Sequence, residues 1–175
     1  FICNIKNKYF RYLILKYANI CVFYDIDKFN KNYYWITKRS LYWHYFTQPY
    51  SANKDHKKLQ TIENEFPGIF ENKVINVGCG LGLVHKKFII KDLTLLDTNR
   101  FIIKEIKKNF PELNVIELDV NKSKNMRYNT ILFSNGVLMY FDENEILNFF
   151  RSNYFENIII FNEGSDNQKD VKVGK

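Results

Sequence analysis

Five short runs of mostly branched and aromatic residues, all after residue 73, constrain the fold more than any other feature of the chain. They lie at 74–77, 93–96, 114–118, 129–134 and 157–162. Runs of this kind, without regular polar alternation, are typical of strands buried on both faces of a parallel sheet. Helices are predicted between them at 83–89, 98–109 and 142–151. The segment 121–128 is short and polar, which favours a loop. The sequence therefore predicts an α/β fold with a doubly wound, mainly parallel sheet.

A glycine-rich turn follows the first of these strands, in the segment VINVGCGLG at 74–82. Glycines at alternate positions permit backbone angles that other residues avoid, and they let a ligand approach the main chain closely. A dinucleotide-binding G-x-G-x-x-G motif would need a glycine in place of Leu83, and no Gly-Lys-Ser/Thr triplet of a P-loop follows the turn. The turn therefore predicts a cofactor that is neither a dinucleotide nor a P-loop nucleotide.

The segment VINVGCGLG resembles the first motif of the class I S-adenosylmethionine-dependent methyltransferases. That family has an apolar run, an acidic residue, an apolar residue and then G-x-G-x-G, and Asn76 stands here at the acidic position. Asp97, 19 residues after Gly78, is similar to the acidic residue that the family places on the ribose hydroxyls. A carboxylate suits that role because it can accept from two adjacent hydroxyl donors. The resemblance implies S-adenosylmethionine as the cofactor.

The resemblance continues over two further strand ends. Asp119 and Val120 stand where the family contacts the adenine, and Ser134 and Asn135 stand near its methyl-transfer centre. The cofactor-binding residues that the resemblance implies are Asn76, Gly78, Cys79, Gly80, Gly82, Asp97, Thr98, Asp119, Val120, Ser134 and Asn135. The family domain continues after its fifth strand into a helix and an antiparallel hairpin. Only 13 residues follow Asn162, so we expect the C-terminal hairpin to be missing.

The N-terminal part of the chain differs in composition from the rest. Residues 1–73 hold 18 of the 30 aromatic residues and a net charge of +6, out of +7 for the whole chain. Helices are predicted at 9–24, at 31–46 with an end near Pro49, and at 53–65 with Asn53 as the N-cap. We expect residues 1–72 to form an aromatic-rich helical extension packed on an S-adenosylmethionine-binding α/β domain at 73–175. Its aromatic side chains are candidates for a lid or for ordinary packing: Tyr33, Trp35, Trp43, Tyr45 and Tyr50.

Methyl transfer from a sulfonium is an in-line displacement, in which an enzyme chiefly aligns the reactants and excludes water. A general base is needed only when the acceptor is a hydroxyl or a protonated amine, and no metal is required. His44, in the aromatic segment, and Tyr140, five residues after Asn135, are the candidate catalytic residues. Either residue can equally serve packing or hydrogen bonding alone.

The methyl acceptor predicted for this chain is a small molecule or a sugar or lipid precursor, attacked at oxygen or nitrogen. One alternative is an RNA acceptor, because the basic N-terminal segment could neutralise phosphates. Another is a non-catalytic binding module, because Asn76 departs from the family motif and the fold alone does not fix an activity. The oligomeric state is not predicted.

Cysteine usage and hydropathy bear on the compartment. The three cysteines, at 3, 21 and 79, are odd in number and form no C-x-x-C pair, which favours reduced thiols and a cytoplasmic protein. No run approaches the roughly 18 apolar residues that a transmembrane helix needs, so no membrane span is predicted.

Overall fold

The computed structural model describes residues 38–134, 137–138, 141–161 and 173–174. The predicted helix at 9–24 lies outside these residues. The helices are α1 (Lys38–Glu65), α2 (Arg100–Asn109), α3 (Glu143–Ser152) and two 3₁₀ helices (Leu83–Lys86 and Val120–Lys122). The strands are β1 (Val74–Val77), β2 (Leu93–Asp97), β3 (Asn114–Glu117), β4 (Arg127–Phe133), β5 (Tyr154–Ile160) and β6 (Val173–Gly174).

The strands form one sheet in the order β3-β2-β1-β4-β5-β6. The first five are parallel, and β6 pairs antiparallel with β5. Val77 is in register with Leu96 on one side and with Phe133 on the other, so the strands end along a common edge. The order reverses between β1 and β4, which is where open α/β sheets hold their ligands. The predicted doubly wound, mainly parallel fold is confirmed.

Hydrophobic clusters cover both faces of the sheet. On one face, α1, the first 3₁₀ helix and α2 contribute buried or half-buried apolar side chains, among them Leu59, Ile62 and Ile106. On the other face, Phe149 and Phe150 of α3 pack against Phe133 and Phe155, with ring centroids 5.5 to 6.2 Å apart. The described part of the N-terminal segment therefore shares its core with the sheet.

The expectation that every strand is buried on both faces is wrong for β3 and β5. All residues of β1 and β2 are buried, as their central positions require. Asn114 and Glu117 of β3 are exposed because this strand forms one edge of the sheet. Tyr154 of β5 is 60% exposed, and beyond β5 the described residues supply only the two-residue strand β6. Within the described residues, β6 is the only strand that pairs with the outer edge of β5.

The two helices predicted at 31–46 and 53–65 are one continuous helix in the described residues. Pro49 lies inside α1, and Asn53 is a helical residue rather than an N-cap. An internal proline removes one backbone hydrogen bond, at a cost of about 3 kcal/mol. Burial of Leu41, Leu59 and Ile62 along the same helix offsets that cost, because each large apolar side chain contributes about 1.5 to 3 kcal/mol when buried. Among the described residues, no helix combines the length and the hydrophobicity needed to cross a membrane.

The helix predicted at 83–89 is only a short 3₁₀ helix, Leu83–Lys86. Lys87 N–H donates to Val84 O in an i to i−3 bond, and the chain then turns so that Ile90 enters the core. The predicted helices at 98–109 and 142–151 are confirmed, with small shifts of their ends. Asn99 caps α2, and Asp142 with Glu145 forms a capping box on α3. The loop predicted at 121–128 is confirmed only for residues 123–126, because the second 3₁₀ helix ends at Lys122 and β4 begins at Arg127.

Candidate functional site

Three glycines shape the turn after β1. Gly78, Gly80 and Gly82 have φ angles of +67°, +52° and +65°, in the left-handed region that side chains with a Cβ avoid. A Cβ on Gly78 would also collide with Val137 Cγ2, and one on Gly80 would collide with Gln48 Nε2. Backbone conformation and crowding thus both require glycine at these positions.

The five backbone N–H groups of residues 78–82 all have acceptors within the protein. The acceptors are Leu96 O for residues 78 and 79, Asp97 Oδ2 for 80, Gln48 Oε1 for 81 and Cys79 O for 82. Phosphate-binding loops work differently, since they direct free N–H groups at their ligand. The turn is therefore suited to a ligand that lies close to its backbone and needs no cluster of N–H donors for a phosphate.

Asp97, at the end of β2, is the buried acidic residue of the site. Its Oδ2 accepts from Gly80 N–H at 3.2 Å and its Oδ1 from Asn99 N–H at 2.9 Å. Burial raises the pKa of this carboxyl from 3.8 to about 6, against the opposing effect of backbone hydrogen bonds from Asn99, Gly80 and Thr98. Asp97 is therefore mostly ionised at pH 7, and its two oxygens offer roughly four acceptor positions.

Helix α1 contributes two polar side chains to the glycine turn. Gln48 Oε1 accepts from Leu81 N–H at 2.7 Å, and Gln48 Nε2 donates to Cys79 O at 3.2 Å. His44 lies one helical turn earlier, and its Nδ1 is 2.8 Å from the position of a Cβ on Gly80. Burial lowers the pKa of His44 to about 4, so its imidazole is neutral at pH 7. His44 is predicted from the sequence as a site residue, but Gln48 is not, because the i, i+4 spacing from His44 is the only sequence feature that points to it.

A second contact joins α1 to the same edge of the sheet. Asn99 Oδ1 accepts from Phe101 N–H at 2.9 Å as the N-cap of α2, and Asn99 Nδ2 donates to Ser40 Oγ at 2.5 Å. Both Asn99 and Ser40 are fully buried. Helix α1 is therefore fixed at both the glycine turn and the end of β2.

Asn76 lies in a buried polar network beneath the turn. Its Oδ1 accepts from Ser134 Oγ–H at 2.8 Å, and its Nδ2 is 2.9 Å from His85 Nε2. Burial lowers the pKa of His85 to about 4, so Nε2 can accept from the amide. The network connects the ends of β1 and β4 with the first 3₁₀ helix. The sequence analysis did not predict this role for His85.

The remaining predicted cofactor residues lie along the same edge or outside the described residues. Leu118 N–H donates to Asp97 O at 3.2 Å, which brings the segment after β3 beside the end of β2. Asp119 is half-exposed and lies 3.7 Å from Lys122 Nζ, whereas Val120 is buried. Thr98 is half-buried between Asp97 and Asn99. Asn135 and the catalytic candidate Tyr140 lie outside the described residues.

Cys79 and the aromatic candidates of the N-terminal segment have smaller roles than Asp97 and Gln48 in the described part of the site. The pKa of the Cys79 thiol is raised mainly by burial, so the thiol stays protonated and is a poor nucleophile. Tyr45 packs against the core from α1. Tyr33 and Trp35 lie outside the described residues, as do the side chains of Trp43 and Tyr50.

Several solved structures are similar to this fold. A SAM-dependent methyltransferase of Leishmania major is 17% identical, with a TM-score of 0.54 over 66% of this chain and 52% of that one. Streptomyces venezuelae DesVI is 12% identical, with a TM-score of 0.55 over 71% and 57%. The plantazolicin methyltransferase BpumL is 17% identical, with a TM-score of 0.52 over 70% and 52%. This chain therefore matches slightly more than half the length of each.

At these identities the likeness shows the fold, and it confirms the Rossmann-like fold of the class I methyltransferases. No protein-family model matches the sequence. No curated protein matches it significantly in sequence.

Proposed function

We propose that this chain is an S-adenosylmethionine-dependent methyltransferase. The observation that supports the proposal is a glycine turn with left-handed φ angles beside the buried carboxylate of Asp97. A hydrogen bond of 3.2 Å from Gly80 N–H to Asp97 Oδ2 joins the two. The sequence resemblance gives these two features the roles of close approach and ribose binding. The described neighbours support the cofactor, since one is a SAM-dependent enzyme and BpumL was solved with S-adenosylhomocysteine.

The residues of the site suit this cofactor. Asp97 keeps acceptor capacity for ribose hydroxyls after its bonds to the backbone. The N–H groups of the turn are already satisfied, which suits a cofactor without phosphates. S-adenosylmethionine supplies an electrophilic methyl group on a sulfonium. The proposed direct contacts are Gly78, Cys79, Gly80, Gly82, Asp97, Thr98, Asp119, Val120, Ser134 and Asn135. For the predicted cofactor residue Asn76 we propose an indirect role, in which it orients Ser134.

The part of the chain at 38–72 is proposed to act as a lid on the 73–175 domain. Gln48 and His44 cover the glycine turn from α1, and Ser40 is bonded to Asn99 beside Asp97. A lid in this place would exclude water and help to align the acceptor with the methyl group. His44 is a weak base because its pKa is about 4, so we assign it to the wall of the site rather than to proton abstraction.

We propose a small molecule or a sugar or lipid precursor as the acceptor, with transfer to oxygen or nitrogen. The support is the position of α1, because the hydrogen bonds of Gln48 hold this helix against the turn and make it one border of the proposed site. A second candidate function is a module that binds the cofactor without transferring its methyl group. It is favoured by the neutral Asn76, whose amide is committed to His85 and Ser134.

The proposal is tested in two steps. Calorimetry with S-adenosylmethionine and S-adenosylhomocysteine should show binding by the natural chain and a fall of about tenfold or more in Asp97→Ala, since a buried unsatisfied partner costs about 1 to 3 kcal/mol. Asp92→Ala, an exposed acid just before β2, is the matched control and should bind normally. Equal binding by both variants would remove Asp97 from the site.

The second step separates an enzyme from a binding module. The chain is incubated with methyl-labelled S-adenosylmethionine and fractionated extract, and the label is traced to small molecules, lipid, protein or RNA. Label in a small-molecule or lipid fraction supports the proposed acceptor. Tight cofactor binding with no label transferred to any fraction supports the module.

A further inference from the structure

The helices on one face of the sheet expose mainly positive charge. Five side chains of α2 are exposed, and four of them are basic: Arg100, Lys104, Lys107 and Lys108. The fifth is Asn109. The basic residues have the spacing i, i+4, i+7 and i+8, which places them in one stripe along the helix. A solvated helix surface usually mixes both signs of charge, and this one has no exposed acidic residue.

The stripe continues across the neighbouring elements of the same face. Lys86 Nζ lies 4.6 Å from the ring centroid of Phe110, the C-cap residue of α2. Lys87 Nζ donates to Asn53 Oδ1 of α1 at 2.5 Å. Exposed Lys57 lies one helical turn beyond Asn53 on α1. We use the name basic face for these exposed basic residues: Lys54, Lys57, Lys86, Lys87, Arg100, Lys104, Lys107 and Lys108.

The acidic residues nearest to the basic face are mostly engaged within the protein. Asp55 Oδ1 lies 3.6 Å from Lys58 Nζ. Glu105 accepts from Asn109 Nδ2 at 2.9 Å, and a side-chain hydrogen bond from Tyr45 is the main cause that lowers its pKa. Both carboxylates are thus bonded within the protein, and the positive charge of Lys108 also contributes to the lowered pKa of Glu105.

We infer that the basic face binds the phosphate backbone of RNA. Arg100 and Lys104 are four residues apart, so they are offset by about 6 Å along the helix axis. A row of cations of this kind can neutralise successive phosphates of a polyanionic strand. A membrane surface is a poorer fit, because such binding uses an exposed apolar helix face. In α2 that face is buried through Ile102, Ile103 and Ile106, and only Ile89, 87% exposed, adds a large apolar side chain nearby.

The basic face is distinct from the cofactor site and its function goes beyond methyl transfer. Lys104, Lys107 and Lys108 are exposed on the later turns of α2, whereas Gly80 and Asp97 lie at the carboxyl edge of the sheet. RNA binding there does not depend on the proposed cofactor. An Asp97→Asn variant should therefore keep its RNA affinity even where cofactor binding is lost.

The test measures binding of the full chain to a fluorescein-labelled 20-nucleotide single-stranded RNA by anisotropy, over a series of KCl concentrations. The first variant carries Lys104→Gln, Lys107→Gln and Lys108→Gln, and the matched control carries Lys124→Gln, Arg127→Gln and Arg151→Gln, exposed cations away from this face. We expect the first to bind about tenfold more weakly, with a salt slope smaller by about 2, since each phosphate contact on a single strand contributes about 0.7. The control should stay within about twofold of the natural chain.

Three outcomes would overturn the inference. They are no RNA binding at 50 mM KCl, equal losses in both triple variants, and tighter binding to phosphatidylserine vesicles than to RNA with the same dependence on α2. Circular dichroism checks that each variant is folded. If the α2 variant unfolds, the Lys86→Gln and Lys87→Gln double variant tests the same face from another element.

Discussion

Gln48 fills the space that a Cβ on Gly80 would need, and its carboxamide bonds to the residues on either side of that glycine. From the sequence, the close approach of a ligand to the backbone is a sufficient reason to expect glycine at this position. The contact shows that the protein's own helix α1 is one of the groups that require glycine at this position. The cofactor turn and the N-terminal helix are therefore coupled through a single pair of residues.

Substitution of Gly80 should disturb both the turn and α1. Gly80→Val, with φ at +52° and Gln48 in contact, should abolish cofactor binding and lower the free energy of unfolding. Gly68→Ala is the control, because Gly68 also has a positive φ, +85°, but meets only the flexible Glu71 side chain. We expect about 1 to 2 kcal/mol of destabilisation in the control and normal calorimetric binding. Normal cofactor binding by a folded Gly80→Val variant would show that the turn only connects β1 to the first 3₁₀ helix.

Removal of the Gln48 carboxamide should weaken the turn. Gln48→Ala leaves the N–H of buried Leu81 without its acceptor, so we expect a loss of about 1 to 3 kcal/mol in urea unfolding. Cofactor affinity should fall about tenfold because the turn loses its fixed shape. Gln60→Ala, an exposed glutamine on the same helix, should change neither quantity. Tighter cofactor binding by Gln48→Ala would show instead that this side chain obstructs the site.

Much of the fold and part of the site could be predicted from sequence because they depend on local patterns. The β-branched runs predicted the parallel strands, and alternate glycines predicted the left-handed turn. The continuity of α1 through Pro49 could not be predicted, since it depends on tertiary burial of Leu41 and Leu59. Gln48 was missed for the same reason, because its role follows from how α1 docks on the turn.

Cofactor binding should depend on the ionisation of Asp97. Its pKa is raised to about 6 by burial, so the carboxylate form dominates above pH 7 and is lost as the pH falls through 6. We expect constant affinity at pH 7 to 8 and a fall approaching about tenfold per pH unit below 6, because the protonated acid is a poorer acceptor for hydroxyls. Calorimetry from pH 5 to 8 measures this. Asp97→Asn should bind weakly at every pH, and the same pH profile in that variant would assign the titration to another group.

Stability in acid should depend on His85. Its pKa in the folded chain is lowered to about 4 by burial, below the unfolded value of 6.5, so it contributes stability above pH 6.5 that is lost as the pH falls towards 4. The loss can reach about 1.4 kcal/mol per pH unit, because protonated Nε2 can no longer accept from Asn76 Nδ2.

Asp97 acts in the opposite direction, since its raised pKa favours the folded chain at lower pH. The comparison must therefore be made between variants. His85→Gln keeps an acceptor for Asn76 but does not titrate, so urea unfolding from pH 7 to 4.5 should show a shallower loss than in the natural chain. An unchanged slope would mean that His85 does not control stability in this range, and that the buried network with Ser134 tolerates its protonation.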